Sequence, residues 1–145
     1  MKIVIASDHG GFYAKSEVIK FLISKGYEVI DKGCYSKERA NYAQYAIKAA
    51  EDIKNGYATF GILICSSGEG VCIAANKVKG IRCGIGYNDE VSHLLREHND
   101  ANMIAFGANF MDIEDIKRRI IIFLNSQFEG DRHIERVDTI KNYEK

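Results

Sequence analysis

The stretch ILICSSGEGVCIAANKV, residues 62–78, passes from an aliphatic run through a Ser/Gly loop into a pattern where Val71, Ala74, Ala75 and Val78 recur at helical spacing. A buried strand, a tight turn and an amphipathic helix in that order form half of a βαβ unit. Cys65 stands at the hinge, where side chains stop being buried and backbone amides come free.

The alternation continues in both directions. KIVIAS (2–7), YEVID (27–31), FGILIC (60–65), IRCGIGY (81–87) and MIAFG (103–107) read as strands. Between them, Val18, Phe21, Leu22 and Lys25 fall at helical spacing, as do Val91, Leu94, Leu95 and His98. NYAQYAIKAAEDIKN (41–55) reads as an alanine-rich helix stopped by Gly56, and RHIERVDTIKNYEK as a closing helix. Strand–helix alternation of this kind predicts an α/β fold: right-handed crossovers, a five-stranded parallel sheet and helices on both faces, in one three-layer domain over 1–145. The helix expected over 112–128 contains IIIFL and is apolar around most of its circumference, where a surface helix needs one stripe. Its second face is expected to meet a partner subunit; burial beneath the closing helix is the alternative.

Twenty basic and twenty acidic residues give a formal net charge of zero. Nothing in that balance draws the chain to nucleic acid or to an anionic membrane, so an anionic ligand must be caught locally. MKIVIASDHGG has no long apolar segment, and IIIFL is too short to span a bilayer, which predicts a cytoplasmic protein. Cys34, Cys65, Cys72 and Cys83 form no CxxC pair and no zinc-type pattern with histidine, so reduced thiols and no metal are expected.

Ligands of open α/β sheets bind beyond the carboxyl ends of the strands, near the reversal of strand order. The loops at that edge are SDHGG, GCYSKERANY, CSSGEG, YND and GAN. SSGEG offers amide N–H groups at the start of a helix, a setting for an anion or a developing oxyanion. No GxGxxG follows a strand and the GK[ST] of a P-loop is missing. A thiolate at Cys65 would face those amides as nucleophile or base; a small buried residue ending a core strand is the commoner fate of a free cysteine. A Cys-x5-Arg phosphatase cradle is excluded, because Val71 stands where the arginine would be.

Asp8 and His9 follow the first strand directly, and capping alone does not explain Asp-His-Gly-Gly. Arg132 and Arg136 lie four apart, a fork that suits phosphate oxygens, with a solvated charged face as the alternative. His133 lies between them on another azimuth and is not expected to share their ligand. His98 continues an apolar stripe, as a packed histidine would, yet its place at a helix C-terminus suits a proton donor. His98 and Asn99 precede the fifth strand, about 17 Å of strand from the ligand edge. If functional, they should therefore reach the Cys65 loop of a second subunit.

Together, SDHGG, GILICSSGEGVCIAANKV, GIRC, REHNDANMIAFG and EGDRHIERV resemble the type B ribose-5-phosphate isomerases and the related galactose-6-phosphate isomerase subunits, in order along essentially the whole chain. The resemblance implies a Rossmann-like fold, a homodimer with shared active sites that can pair into a tetramer, a phosphorylated sugar as substrate, and no metal or cofactor. It makes Cys65 the base that moves a proton between C1 and C2, and His98 of the other subunit the ring-opening residue. Ser67 and the amides of Ser66, Gly68, Glu69 and Gly70 would hold the enediolate oxygen. Asp8, His9, Tyr42 and Asn99 would contact the sugar, and Arg132 and Arg136 the phosphate. Val71 stands where cysteine-free members carry a glutamate base, so this chain looks like the cysteine type.

Four positions depart from the family pattern. Asn109 stands at the ligand edge where arginine is usual, Glu69 where a neutral residue is usual, and Asn41 and Ala43 flank Tyr42 where Asp and Pro are usual. The first two make the pocket less positive, so weaker phosphate binding or a different sugar phosphate is expected. A hexose-phosphate isomerase subunit and a non-catalytic sugar-phosphate-binding module are the competing readings; intact Cys65 and His98 weigh against the second.

Overall fold

KIVIAS and FGILIC carry no polar alternation, and such strands are stable only when both faces are covered. In the computed structural model, which describes residues 1–144, β1 (Lys2–Ser7), β2 (Glu28–Asp31), β3 (Phe60–Cys65), β4 (Cys83–Ile85) and β5 (Met103–Gly107) form one parallel sheet. The order is β2-β1-β3-β5-β4. The intervening helices are α1 (Phe12–Ser24), α2 (Tyr42–Lys54), α3 (Glu69–Ala75), α4 (Asp89–Glu97) and α5 (Ile113–Asn125), and α6 (His133–Tyr143) follows. The Rossmann-like α/β architecture expected from the sequence is present.

Alternate residues of each central strand point to opposite layers. Val4, Ala6, Leu63, Met103 and Ala105 pack against Ala46, Ala49 and Ala50 of α2 and Val71, Ala74 and Ala75 of α3. Ile3, Ile5, Ile62, Ile64, Ile104 and Phe106 face Val18 and Leu22 of α1 and Ile116, Ile120 and Phe123 of α5. Strand order reverses between β1 and β3, so the carboxyl ends of those two strands open the crevice where a ligand fits.

Some boundaries differ from the sequence reading. β4 covers only 83–85 of the expected 81–87, because side chains replace the ladder at its start: Arg82 N donates to Asn102 Oδ1 at 2.9 Å and Cys83 N to Asn76 Oδ1 at 2.8 Å. α5 stops at Asn125, three residues early, where Ser126 turns extended and its hydroxyl bonds the Ile122 carbonyl at 2.6 Å.

α5 does not pass beneath α6. Ile121 and Ile122 are half-exposed beside Phe21 and Tyr27, along a groove of about 440 Å³. α6 lies outside the three layers, over a cleft of about 600 Å³ that includes Ile81, Cys83 and Ile140; Ile134, Ile140 and Tyr143 remain exposed. No helix among the described residues is long and apolar enough to cross a membrane.

Candidate active site

Cys65 ends β3, 5% exposed, with its Sγ turned into the following loop, where the backbone N–H of Gly68 donates to it at 3.1 Å. Gly68 has φ +84°, and a Cβ there would lie 2.9 Å from the Phe106 carbonyl carbon and 3.0 Å from Gly107 N. Only glycine combines that backbone with so close an approach to β5. Two more bonds fix the loop on β5: Ala108 N to Cys65 O at 2.9 Å and Asn109 N to Ser66 O at 3.0 Å.

Of the loop amides expected to cradle an oxygen, two are already engaged, Gly68 by the thiol and Glu69 by Ser67 Oγ at 3.2 Å. The Gly70 N–H lies in the first turn of α3, where no intrahelical acceptor exists. Accepting from Glu69 leaves the Ser67 hydroxyl proton available to a ligand.

The opposite wall comes from β1 and α2. Asp8 is buried and its Oδ1 accepts from Gly11 N at 3.1 Å, so it caps the short turn His9–Gly11 while standing at the crevice. Ala40 N donates to His9 Nδ1 at 3.2 Å, which leaves the neutral ring its proton on Nε2. Tyr42 opens α2 with its ring against the Cys65 loop; a Cβ on Gly70 would lie 2.6 Å from that ring. Asn41 caps α2 through Ala43 N at 3.0 Å, the service an aspartate would give there. Asn109 lines a cleft of about 380 Å³ with Gly10, Tyr13 and Met111.

Lys15 was not singled out by the sequence reading. It is 1% exposed, and its Nζ reaches Asp31 Oδ1 at 2.7 Å; the same oxygen accepts from Gly33 N at 2.9 Å. This pair ties α1 to the start of the loop that carries Ala40 and Asn41. A lysine three before Val18 and seven before Leu22, in line with an apolar stripe, was the available signal.

The remaining candidates gather elsewhere. His98 follows α4, and its ring stacks on His133 with centroids 4.2 Å apart and planes 17° from parallel. Arg136 Nη1 lies 3.4 Å from His133 Nδ1, and Arg132 Nη1 donates to Glu129 Oε1 at 3.1 Å. Asn99 borders the cleft beneath α6. His133, set apart by its azimuth in the sequence, is thus buried between His98 and Arg136. Burial first, then the charges of His98, Arg132 and Arg136, hold its imidazole below the usual histidine range.

His98, Glu129 and His133 bring three potential metal-ligand atoms within 4.8 Å of one another. An arginine can only donate, so His133 Nδ1 accepts and its Nε2 carries a proton, not a lone pair. That Nε2 is buried without a hydrogen-bond partner among the described residues, 3.9 Å from Glu129 Oε2, whose other oxygen is taken by Arg132. With two guanidinium groups alongside, the donor set fits an anion better than a cation.

The site residues thus fall into two groups, Cys65 with the loops of β1, α2 and β5 at the carboxyl edge, and His98 with Asn99, Arg132 and Arg136 around the start of α6. In β5, Gly107 pairs with Cys65, whereas Asn99 precedes Met103 at the far end, so about 17 Å of strand separates the groups within one chain.

A doubly wound parallel sheet with a thiol on a strand-to-helix turn and polar loops converging at its switch point defines a Rossmann-like α/β protein. Residues 3–140 match the family model described as Ribose/Galactose Isomerase, and the chain belongs to that family. It is 42% identical over 139 residues to ribose-5-phosphate isomerase B of Escherichia coli (strain K12), an alignment covering 96% of this chain and 93% of the relative. The solved ribose-5-phosphate isomerase B of Clostridium thermocellum superposes with a TM-score of 0.97 at 42% identity, covering 98% and 96% of the two chains. The Mycoplasma genitalium ribose-5-phosphate isomerase B, solved with bound ribulose-5-phosphate, gives 0.93 at 36% identity over 99% and 95%.

Proposed function

We propose that the chain is an aldose–ketose isomerase that interconverts ribose 5-phosphate and ribulose 5-phosphate in the cytoplasm, as a homodimer whose active sites each draw on both subunits. The observation that carries this reading is the Cys65 thiol held by the Gly68 amide at the switch point of a fold shared with the ribose-5-phosphate isomerases. Deprotonated Cys65 takes the C2 proton of the open-chain aldose. The electron pair closes a C1–C2 double bond and O1 takes the charge of a cis-enediolate. The same thiol returns the proton to C1 while the O2 proton passes to O1, so that C2 becomes the carbonyl and nothing is gained or lost.

Preorganised donors at a developing oxyanion are worth about 2.7–4 kcal/mol each. Gly70 N–H and the Ser67 hydroxyl fill that role. His9 Nε2–H, Asp8 and Tyr42 orient the sugar. His98 and Asn99 arrive from the second subunit, His98 to open the furanose ring, and Arg132, Arg136 and the Nε2–H of His133, which makes no hydrogen bond among the described residues, receive the phosphate. The half-covered face of α5, the thinly packed α6 and the division of the site into two groups all support pairing of chains.

Asn109 and Glu69 favour a second reading, a hexose 6-phosphate as substrate, since both lower the positive potential at the crevice. Proton NMR in heavy water, with ribose 5-phosphate, allose 6-phosphate and galactose 6-phosphate offered separately, distinguishes the two. Exchange at C2 of ribose 5-phosphate that disappears in Cys65→Ala is the expected result. Exchange confined to a hexose phosphate selects the second reading, and exchange that survives Cys65→Ala removes the thiol from the mechanism.

A further inference from the structure

We infer that Asp100 is a positioning residue, clamped by Arg82 and Arg96, that sets the His98–Asn99 turn for ring opening; the inference rests on the reading of His98 given above. Asp100 takes φ +47°, one of two non-glycine residues at positive φ among those described. Both guanidinium groups converge on it. Arg82, immediately before β4, places Nη2 2.7 Å from the Asp100 carbonyl and 3.2 Å from Oδ2, and its Nε donates at 3.1 Å to the carbonyls of both Asn99 and Asp100. Arg96, from the last turn of α4, reaches Asp100 Oδ1 at 3.0 Å and the Ala101 carbonyl at 2.7 Å.

A turn built to end a helix needs one or two backbone bonds. This one holds six side-chain bonds from two arginines, and the arginine side chains are 14% and 12% exposed, beyond the screening that weakens surface pairs. Arg96 also lies with its guanidinium carbon 4.8 Å from the Phe60 ring centroid, so it is packed as well as charged. Carbonyls 99, 100 and 101 are thereby fixed just beyond the residue whose ring must meet a sugar on another protomer. A group placed within a small tolerance contributes to rate through orientation, and a loosened turn loses that contribution while the fold persists.

Two substrates isolate the step. Ribose 5-phosphate reacts from a closed furanose, whereas ribulose 5-phosphate, with its O5 esterified, has no ring to open and can exchange its C1 protons directly. In Asp100→Asn, which keeps a residue tolerant of the left-handed region but removes the charge, turnover of ribose 5-phosphate should fall about tenfold or more, a change of about 1.4 kcal/mol in barrier. C1 exchange of ribulose 5-phosphate in heavy water, measured at saturating substrate so that a weakened Asn99 contact does not enter, should stay within about twofold of the wild type. Arg82→Lys, which retains charge and loses the fork, should give the same split if Asp100→Asn unfolds. Equal loss in both arms, or none in either, overturns the positioning role. A wild-type protein inactive in both arms overturns the isomerase reading and this inference with it.

Discussion

The Gly68 N–H points at Cys65 Sγ from 3.1 Å away, across a turn that a left-handed residue closes. The bond makes the sulfur part of the loop's architecture, so the loop cannot be altered without moving the thiol proposed as the base. Gly68→Ala tests this. An L-residue in the left-handed region costs about 1–2 kcal/mol, and its Cβ would press on the Phe106–Gly107 backbone, which the sheet prevents from yielding. The variant should unfold several degrees lower in a thermal melt and lose most of its isomerisation rate. A full rate at reduced stability would show that the amide does not hold the reacting sulfur.

Asn109→Arg should strengthen phosphate binding. The Asn109 backbone is pinned to the Cys65 loop through Ser66 O, and its side chain borders a cleft of about 380 Å³ with room for a longer group. A charge-assisted hydrogen bond contributes about 1.5–3 kcal/mol. The KM for ribose 5-phosphate should therefore fall roughly tenfold, with kcat little changed. An unaltered KM in steady-state assays would place the phosphate elsewhere.

The sequence laid out the sheet because unbroken aliphatic runs at 2–7, 60–65 and 103–107 have one reading, and those strands begin and end where the runs do. The placement of the carboxyl-edge half of the candidate site was legible for the same reason: once a strand end is placed, Asp8, His9 and the Cys65 loop are placed with it. β4 was harder, because Asn76 and Asn102 cap its edge from positions remote in sequence. The buried Lys15–Asp31 pair, the convergence of Arg82 and Arg96 on Asp100 and the stacking of His98 on His133 were not legible. Each joins residues from different elements, and periodicity reports which face a residue occupies, not what meets it there.

Cys72 should be the first thiol to react with iodoacetamide. The neighbouring Cys83 thiol, then a hydrogen bond from Asn76, lower its pKa against the opposing effects of burial and of Glu69, and the residue is partly exposed. The Cys72 thiol beside it, then burial, push Cys83 well above the usual thiol range. Cys34 and Cys65 are 3% and 5% exposed. Reaction follows thiolate fraction and access, so peptide mapping of briefly treated protein should find the label on Cys72, with turnover retained until Cys65 is reached. Cys72→Ser should abolish the early label and keep activity. Early labelling of Cys65 with Cys72 untouched would contradict the assignment.

His133 should make the protein less stable in acid. Its imidazole titrates below the usual histidine range in the folded chain, from burial and then from His98, Arg132 and Arg136, whereas in the unfolded chain it takes up a proton near the ordinary value of about 6.5. As pH falls through that ordinary value the unfolded state gains a proton that the folded state refuses, so folding stability drops; once pH passes below the folded value both states are protonated and the loss levels off. Urea unfolding of the wild type and of His133→Gln, compared from about pH 8 to about pH 5, isolates the contribution. The difference between them should be constant at the alkaline end and move against the wild type on acidification. A difference that stays flat would mean that folding leaves the ring's affinity for its proton unchanged, and one that moves toward the wild type on acidification would mean that the folded chain favours the protonated ring, paired with Glu129.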